Sequence, residues 1–270
     1  GLHDMGAVAP GYKADLAVFD DLRTLNVKQV YKGGKLVAEN GKMLHQKEKN
    51  TDWSTEIKER VFHSFHRVPI TVEELQLKET TGTHQRVIDM VAHELITKER
   101  IEEWKELPGV APGVDISRDI VKLAAIERHK NTGHVGLGFL GKYGLKKGAV
   151  ATSIGHDSHN LVIAGVTDED MVLAGNRVIE NGGGLAIALE GKVLADLPLP
   201  IGGLMADEPV EVVDEKLEHM KKLSVELGIS EDIDAFMTLA FISLPVIPKL
   251  RLNTYGVVDV EKHQVVEARF

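Results

Sequence analysis

The 270-residue chain contains no cysteine, and this absence excludes several kinds of site. Disulfides, iron–sulfur clusters and thiolate zinc sites all need cysteine, so none of them can occur in this sequence. No apolar run reaches the roughly 18 residues of a membrane-spanning helix, so no membrane span is expected. Basic residues are also fewer than acidic ones, which gives a formal net charge of -9. An acidic chain repels phosphate backbones, and nucleic acid is therefore not an expected partner.

Several catalytic motifs are missing as well. The metalloprotease motif H-E-x-x-H fails after His93-Glu94, and the hydrolase motif G-x-S-x-G is absent. The zinc signature of nucleobase deaminases needs P-C-x-x-C, which a chain without cysteine cannot supply. No complete hydrolytic site can therefore be read from this sequence.

A glycine-rich segment at 136–141 matches G-x-G-x-x-G, but its context does not fit a dinucleotide site. Gly144 and Gly148 interrupt any following helix, and the position about 20 residues onward is Leu161 instead of an acidic residue. We predict a loop here whose backbone passes close to a ligand or to another strand.

The pattern of apolar residues and turns predicts a mixed α/β (α+β) fold without a complete TIM barrel. We predict that residues 1–50 form a small β-sandwich portion without a core of its own and that residues 51–82 form a connecting segment. Residues 83–270 predict a larger mixed-sheet α/β domain, with a strand at 120–126 and a helix at 168–181. The chain starts at Gly1 without an initiator Met, so we expect it to be part of a longer protein.

The run His156-Asp157-Ser158-His159-Asn160 is the most informative polar segment. It lies between two apolar stretches, 149–154 and 161–166, which both predict short buried strands. Loops at strand ends commonly carry chemistry, and two imidazoles beside a carboxylate can transfer protons, bind a metal or hold a heterocycle. The alternative is a tight turn, because Asp, Ser and Asn all hydrogen-bond their own backbone.

Two further histidines flank the glycine-rich segment. His129 follows the predicted strand at 120–126, and His134 lies five residues later. Two strand ends that carry histidine, at His129 and His156, could meet in one pocket. The alternative is that His129 packs through a hydrogen bond and that His134 is an ordinary loop residue.

A family resemblance becomes visible at this point. Residues 6–16, Gly-Ala-Val-Ala-Pro-Gly-Tyr-Lys-Ala-Asp-Leu, resemble the stretch that follows the catalytic barrel in amidohydrolases and enters a small β-sandwich. Later segments resemble, in the same order, the C-terminal domain of bacterial adenine deaminases. These segments are 148–160, Asn176-Arg177, 182–184, 199–205 and 236–239.

The resemblance implies a parent enzyme that hydrolyses adenine to hypoxanthine and ammonia. In that family a metal ion, expected to be manganese or iron, is held in the barrel by histidines and carboxylates and activates water. This chain lacks the barrel, so no metal ligand can be assigned to any of its residues, and we expect the isolated chain to be inactive. The resemblance also implies the missing N-terminal barrel as a partner, a homo-oligomer and a cytoplasmic location.

The candidate site residues follow from the histidine pattern and the resemblance together. We expect His156, Asp157 and His159 to act as catalytic residues that contact purine nitrogens or relay protons. The candidate substrate-binding residues are His129, His134, Ser158 and Asn160. Two alternatives stay open: a non-catalytic module for structure and oligomerisation, or a self-contained metal site formed by His129, His134, His156 and His159.

Overall fold

The chain divides into two units, Gly1–Ser54 and Thr55–Phe270, and the first contains a four-stranded antiparallel sheet. The computed structural model describes residues 1–44, 53–77 and 81–270. In chain order the strands of this sheet are β1 (Leu16–Phe19), β2 (Val27–Lys32), β3 (Lys35–Glu39) and β4 (Lys42–Met43). No described residue of this unit is buried, which agrees with a unit that has no core of its own.

The second unit is organised around an eight-stranded sheet. Its strands are β5 (His84–Met90), β6 (Thr97–Glu103), β7 (Ile120–Ile126), β8 (Val135–Gly141), β9 (Ala149–Thr152), β10 (Leu161–Gly165), β11 (Gly184–Leu189) and β12 (Lys192–Pro198). The order across the sheet is β12-β11-β9-β10-β7-β8-β5-β6, and β5 and β8 pair in parallel. The mixed α/β class is confirmed, and none of the described sheets closes into a barrel.

Helices and a second sheet cover the two faces of this sheet. The remaining elements are α1 (Thr55–Phe62), α2 (Asp168–Glu180), α3 (Val210–Glu226), α4 (Ala235–Ile242), β13 (Leu250–Asn253), β14 (Gly256–Asp259) and β15 (Gln264–Val266). The α2 helix packs on one face in a core with Ala151 and Ile163. The α3 and α4 helices and the β13–β15 sheet share the other core with Val150 and Val162. Consecutive residues of a strand therefore enter different cores.

Local sequence signals explain the best-defined elements. Every residue of β7 is buried, as expected of a continuous apolar strand covered on both faces. The α2 helix begins after Thr167, whose hydroxyl accepts from the Asp170 amide, and its first turn is acidic, which suits the helix dipole. Within the described ranges, no helix is long and apolar enough to cross a membrane.

The glycine-rich segment is a strand and not the loop that the sequence predicted. As β8 it pairs with β7 on one side and with β5 on the other. Its glycines are needed for close packing, because a Cβ added at Gly136 would lie 1.9 Å from the Asn253 carbonyl oxygen. One at Gly138 would lie 3.0 Å from Val257 Cγ2. The predicted close approach to another strand is therefore present, and the strands that approach are β13 and β14 of the three-stranded sheet.

Residues near Phe270 pair with the start of β5, on the side opposite β6. The amides and carbonyls of His84 and Phe270 exchange two hydrogen bonds of 2.9 Å each, and the Arg86 amide donates to the Ala268 carbonyl at 2.8 Å. The predicted domain boundaries stay predictions, and the one between residues 50 and 51 lies outside the described residues.

Candidate functional site

The His156–Asn160 loop joins β9 to β10, two neighbouring strands in the middle of the large sheet. Both strands are wholly buried, whereas His156, Asp157 and Ser158 are exposed, so the chain leaves the core abruptly at this point. The loop closes through a 2.6 Å hydrogen bond from the His159 amide to the Gly155 carbonyl. The same five residues therefore form a turn and also expose polar side chains at the strand ends.

His156 and Asp157 form an imidazole–carboxylate pair. Nδ1 of His156 lies 2.5 Å from Oδ1 of Asp157, and both side chains are at least half exposed. The His156 ring stacks on Phe241 of α4, with 5.5 Å between ring centroids and an angle of 24° between the planes. Because the carboxylate engages Nδ1, Nε2 is the ring nitrogen left for a ligand.

The Arg128 side chain holds the His156–Asn160 loop through a hydrogen bond. Arg128 lies two residues after the end of β7, its side chain is buried, and Nε donates to the His159 carbonyl. Nη2 donates to the Gly202 carbonyl at 3.0 Å, and Nη1 donates to the Ser64 carbonyl at 3.5 Å. Burial lowers the pKa of Arg128 to about 10, which the nearby Glu127 charge only partly opposes. The cation thus ties three separate chain segments together through neutral carbonyls.

His159 has a lowered pKa. Burial is the largest cause, followed by the positive charges of Arg128, His129 and His156, while Asp157 acts in the opposite direction. A histidine ordinarily titrates near 6.5, so His159 is a neutral imidazole at neutral pH. A neutral ring can accept a hydrogen bond as well as donate one.

His129 joins the same group of residues. Its Nε2 lies 2.7 Å from the Ser158 carbonyl oxygen, so His129 contacts the His156–Asn160 loop. The turn after His129 is closed by Glu127, whose carboxylate accepts from the amides of His129, Lys130 and Thr132 at 2.6 to 2.9 Å. Burial raises the pKa of Glu127, but these hydrogen bonds outweigh it and lower the value to about 2.

His134 has different surroundings from the other candidates. Its ring packs against Tyr255, with 4.8 Å between centroids, and lines a separate cleft of about 650 Å³. None of the other predicted site residues lines this cleft. The structure therefore brings together six of the seven candidates and separates His134 from them.

The described residues contain no group of three or more His, Asp or Glu side chains that could hold a metal ion. The alternative of a self-contained metal site from His129, His134, His156 and His159 is therefore not supported. Asn160 differs from its neighbours in the loop, because its Oδ1 is buried without a donor among the described residues. The arrangement can transfer a proton at His156 and accept hydrogen bonds at His159.

The sequence analysis missed the role of Arg128. Its three carbonyl partners lie 31, 64 and 74 positions away, so no local pattern points to them. The available signal was a single one, an arginine two residues after a mostly apolar strand.

Comparisons with known proteins agree with this architecture. A family profile described as the adenine deaminase C-terminal domain matches residues 94–264, more than half of the chain. Adenine deaminase 2 of Carboxydothermus hydrogenoformans is 44% identical over 266 residues, 98% of this chain and 45% of that protein. Adenine deaminases of Petrotoga mobilis and Lysinibacillus sphaericus are 42% and 40% identical over 97% and 98% of this chain. The chain spans about 45% of the length of these relatives.

Proposed function

The chain belongs to the adenine deaminase C-terminal domain family, and we propose that it forms part of an enzyme that hydrolyses adenine to hypoxanthine and ammonia. The observation that carries this proposal is the exposed His156–Asp157 pair on a loop held by the buried Arg128. The names of the relatives support the reaction, and the geometry of the loop supports a part in it for this chain.

The reaction needs proton transfers that the loop can perform. Water adds its oxygen to C6 of the purine while one of its protons goes to ring N1, and the second proton must pass from the added oxygen to the amino group so that the C6–N bond breaks and ammonia leaves. We assign the transfer of this second proton to His156, which takes it from the oxygen and gives it to the amino group, because the Asp157 carboxylate can stabilise the imidazolium and orient the ring. Phe241 keeps the ring in place by stacking.

His159 takes the complementary role in this proposal. Its lowered pKa keeps the ring neutral, so it can accept a hydrogen bond from a purine N–H at neutral pH. Substrate binding is assigned to His129, which contacts the loop, and to Ser158 and Asn160, which belong to it. His134 is left out of this group, because it lines a different cleft.

The metal of the proposed parent enzyme does not fit the described residues of this chain, which contain no ligand cluster for it. We therefore assign no step of the reaction to a metal held here. Manganese or iron as the ion, homo-oligomer formation, a cytoplasmic location and inactivity of the isolated chain all stay predictions of the sequence analysis.

The test is ammonia release from adenine by the intact enzyme that carries His156→Ala or His159→Ala. We expect each substitution to lower kcat by about 10²-fold or more, as loss of an acid–base group does, without a change in the denaturation midpoint. His219→Ala is the matched control, because His219 is an exposed histidine on α3. Full activity of both loop variants would contradict the proposal and favour a purely structural module.

A further inference from the structure

A second cavity lies between the α4 helix and the turn that follows β5. Its volume is about 170 Å³. Apolar side chains form most of its wall, among them Met90, Ile96, Met237 and Phe241, while Glu94 lines it from an exposed position and makes no ion pair with the Arg251 side chain. A cavity of about 150 Å³ accommodates a molecule of the size of benzene, so this one can hold a small organic ligand.

Arg251 gives this apolar cavity a positive charge. The side chain lines the cavity and has 0% exposed surface. Its Nη1 donates to the Leu250 carbonyl at 3.0 Å, and Nη2 donates to the carbonyls of Leu95 and Pro248. Nε has no acceptor among the described residues.

The charge of Arg251 is not neutralised by the protein. Within the described part of the chain, no carboxylate lies within ion-pair distance of its guanidinium. Burial accordingly lowers the pKa of Arg251 to about 10. Lys122, a buried cation of the large sheet, has its own carboxylate, with Nζ 2.6 Å from Asp168 Oδ1. A buried charge without a counter-charge is costly, and an anion bound beside Arg251 would remove that cost.

We propose that this cavity binds a small monocarboxylate with a short apolar chain, whose carboxylate pairs with Arg251. The guanidinium is the side chain best suited to a carboxylate, and its free Nε supplies a donor. The methionine and isoleucine side chains suit an alkyl chain, and the volume limits the ligand to about the size of butyrate. The assignment of a carboxylate to this cavity does not rest on the proposed deamination, because none of the candidate site residues lines the cavity.

The cavity and the histidine loop share one aromatic ring. Phe241 lines the cavity and also stacks on His156. A ligand that packs against Phe241 therefore contacts the residue that supports the His156–Asp157 pair, so NMR signals of His156 should shift when the cavity is filled.

The experiment is a titration of the 270-residue chain with sodium butyrate at constant ionic strength, followed by calorimetry and by the His156 NMR signals. We expect saturable binding at one site with Kd below about 10 mM, and binding of the neutral analogue butyramide at least about tenfold weaker. Met237→Trp, which fills the cavity from a partly exposed position on α4, should weaken butyrate binding by at least about tenfold. Val246→Trp is the control, because Val246 is exposed and does not line the cavity.

Arg251→Gln should also abolish butyrate binding if the variant folds, and Met237→Trp keeps the test decisive if it does not. Equal binding of butyrate by Met237→Trp and the unchanged chain would overturn the proposal. Equal binding of butyramide and butyrate would overturn the role of charge. Displacement of butyrate by equimolar chloride would overturn the assignment to a carboxylate in favour of an inorganic anion.

Discussion

Arg128 donates a hydrogen bond from Nε to the carbonyl oxygen of His159, so a buried cation holds the exposed His156–Asn160 loop in place. The same guanidinium contacts the carbonyls of Ser64 and Gly202 and lies 4.9 Å from the ring centroid of Phe65. The position of the His156–Asp157 pair therefore depends on residues that are distant in sequence, and the consequences can be tested.

Replacing Arg128 with Met should destabilise the protein by about 2–4 kcal/mol. Three backbone carbonyls lose their donor, at about 1–3 kcal/mol for each that stays buried, while removal of a buried charge offsets part of this cost. Arg128→Lys keeps the charge but not the forked geometry, and should give an intermediate loss. Urea denaturation measures both variants. A variant Arg128→Met that is as stable as the unchanged chain would show that the desolvation cost equals the hydrogen-bond contribution.

The lowered pKa of His159 makes stability depend on pH. Because the folded state binds the proton less readily than the unfolded chain, stability from this group is present above the ordinary pKa of 6.5 and is lost as pH falls below it. His159→Asn should flatten this part of the curve, and Asn tolerates the left-handed φ of 49° found at this position. Unfolding free energies measured between about pH 8 and pH 5 compare the two proteins. Parallel curves would contradict the shift.

Glu127→Gln should destabilise the turn that carries His129. The carboxylate accepts three backbone amides, and the glutamine keeps the shape but loses the charge. We expect a loss of about 1 kcal/mol at neutral pH, a modest value because the group lies near solvent. The pKa of about 2 places this contribution above pH 4.5 and removes it as pH falls toward 2. Glu231→Gln, at an exposed position, is the control for denaturation measurements at both pH values.

Two glycines of β8 should differ in their tolerance of alanine. A Cβ at Gly136 would meet the backbone oxygen of Asn253 at 1.9 Å, whereas one at Gly138 would meet side-chain atoms at 3.0 and 3.2 Å. Side chains can shift, but a paired backbone cannot do so without moving β13. Gly136→Ala should therefore cost about 3 kcal/mol or more, and Gly138→Ala about 1–2 kcal/mol. Thermal denaturation with equal losses for both variants would contradict this difference.

Elements whose signals are local were predicted well from the sequence. The β7 strand has the predicted bounds, because six of its seven residues are apolar and charged residues, Asp119 and Glu127, stand at its two ends. The α2 helix has its capping threonine and acidic first turn within four residues, and it was predicted to within one residue at its end. The position of the His156–Asn160 loop between two buried strands followed from the same reasoning.

Features that depend on distant contacts could not be predicted in this way. Gly136 and Gly138 indicate a loop by local rules, but the strands that pack on them lie more than 100 residues further along the chain. His134 is five residues from His129, yet its ring partner is Tyr255. The hydrogen bonds that the structure describes for Arg128 and Arg251 all go to backbone carbonyls, which every residue carries, so the amino-acid sequence does not show which ones are used.

The pairing of His84 with Phe270 has a consequence for how the second unit folds. These residues exchange two backbone hydrogen bonds across a loop of almost the whole unit, and further along, the same side of β5 pairs with β8. Contacts of such long sequence separation cost loop-closure entropy before they contribute any stability. The pairing of β5 with residues 268–270 and with β8 should therefore form late, and refolding of this unit should be slow compared with that of a protein rich in local contacts.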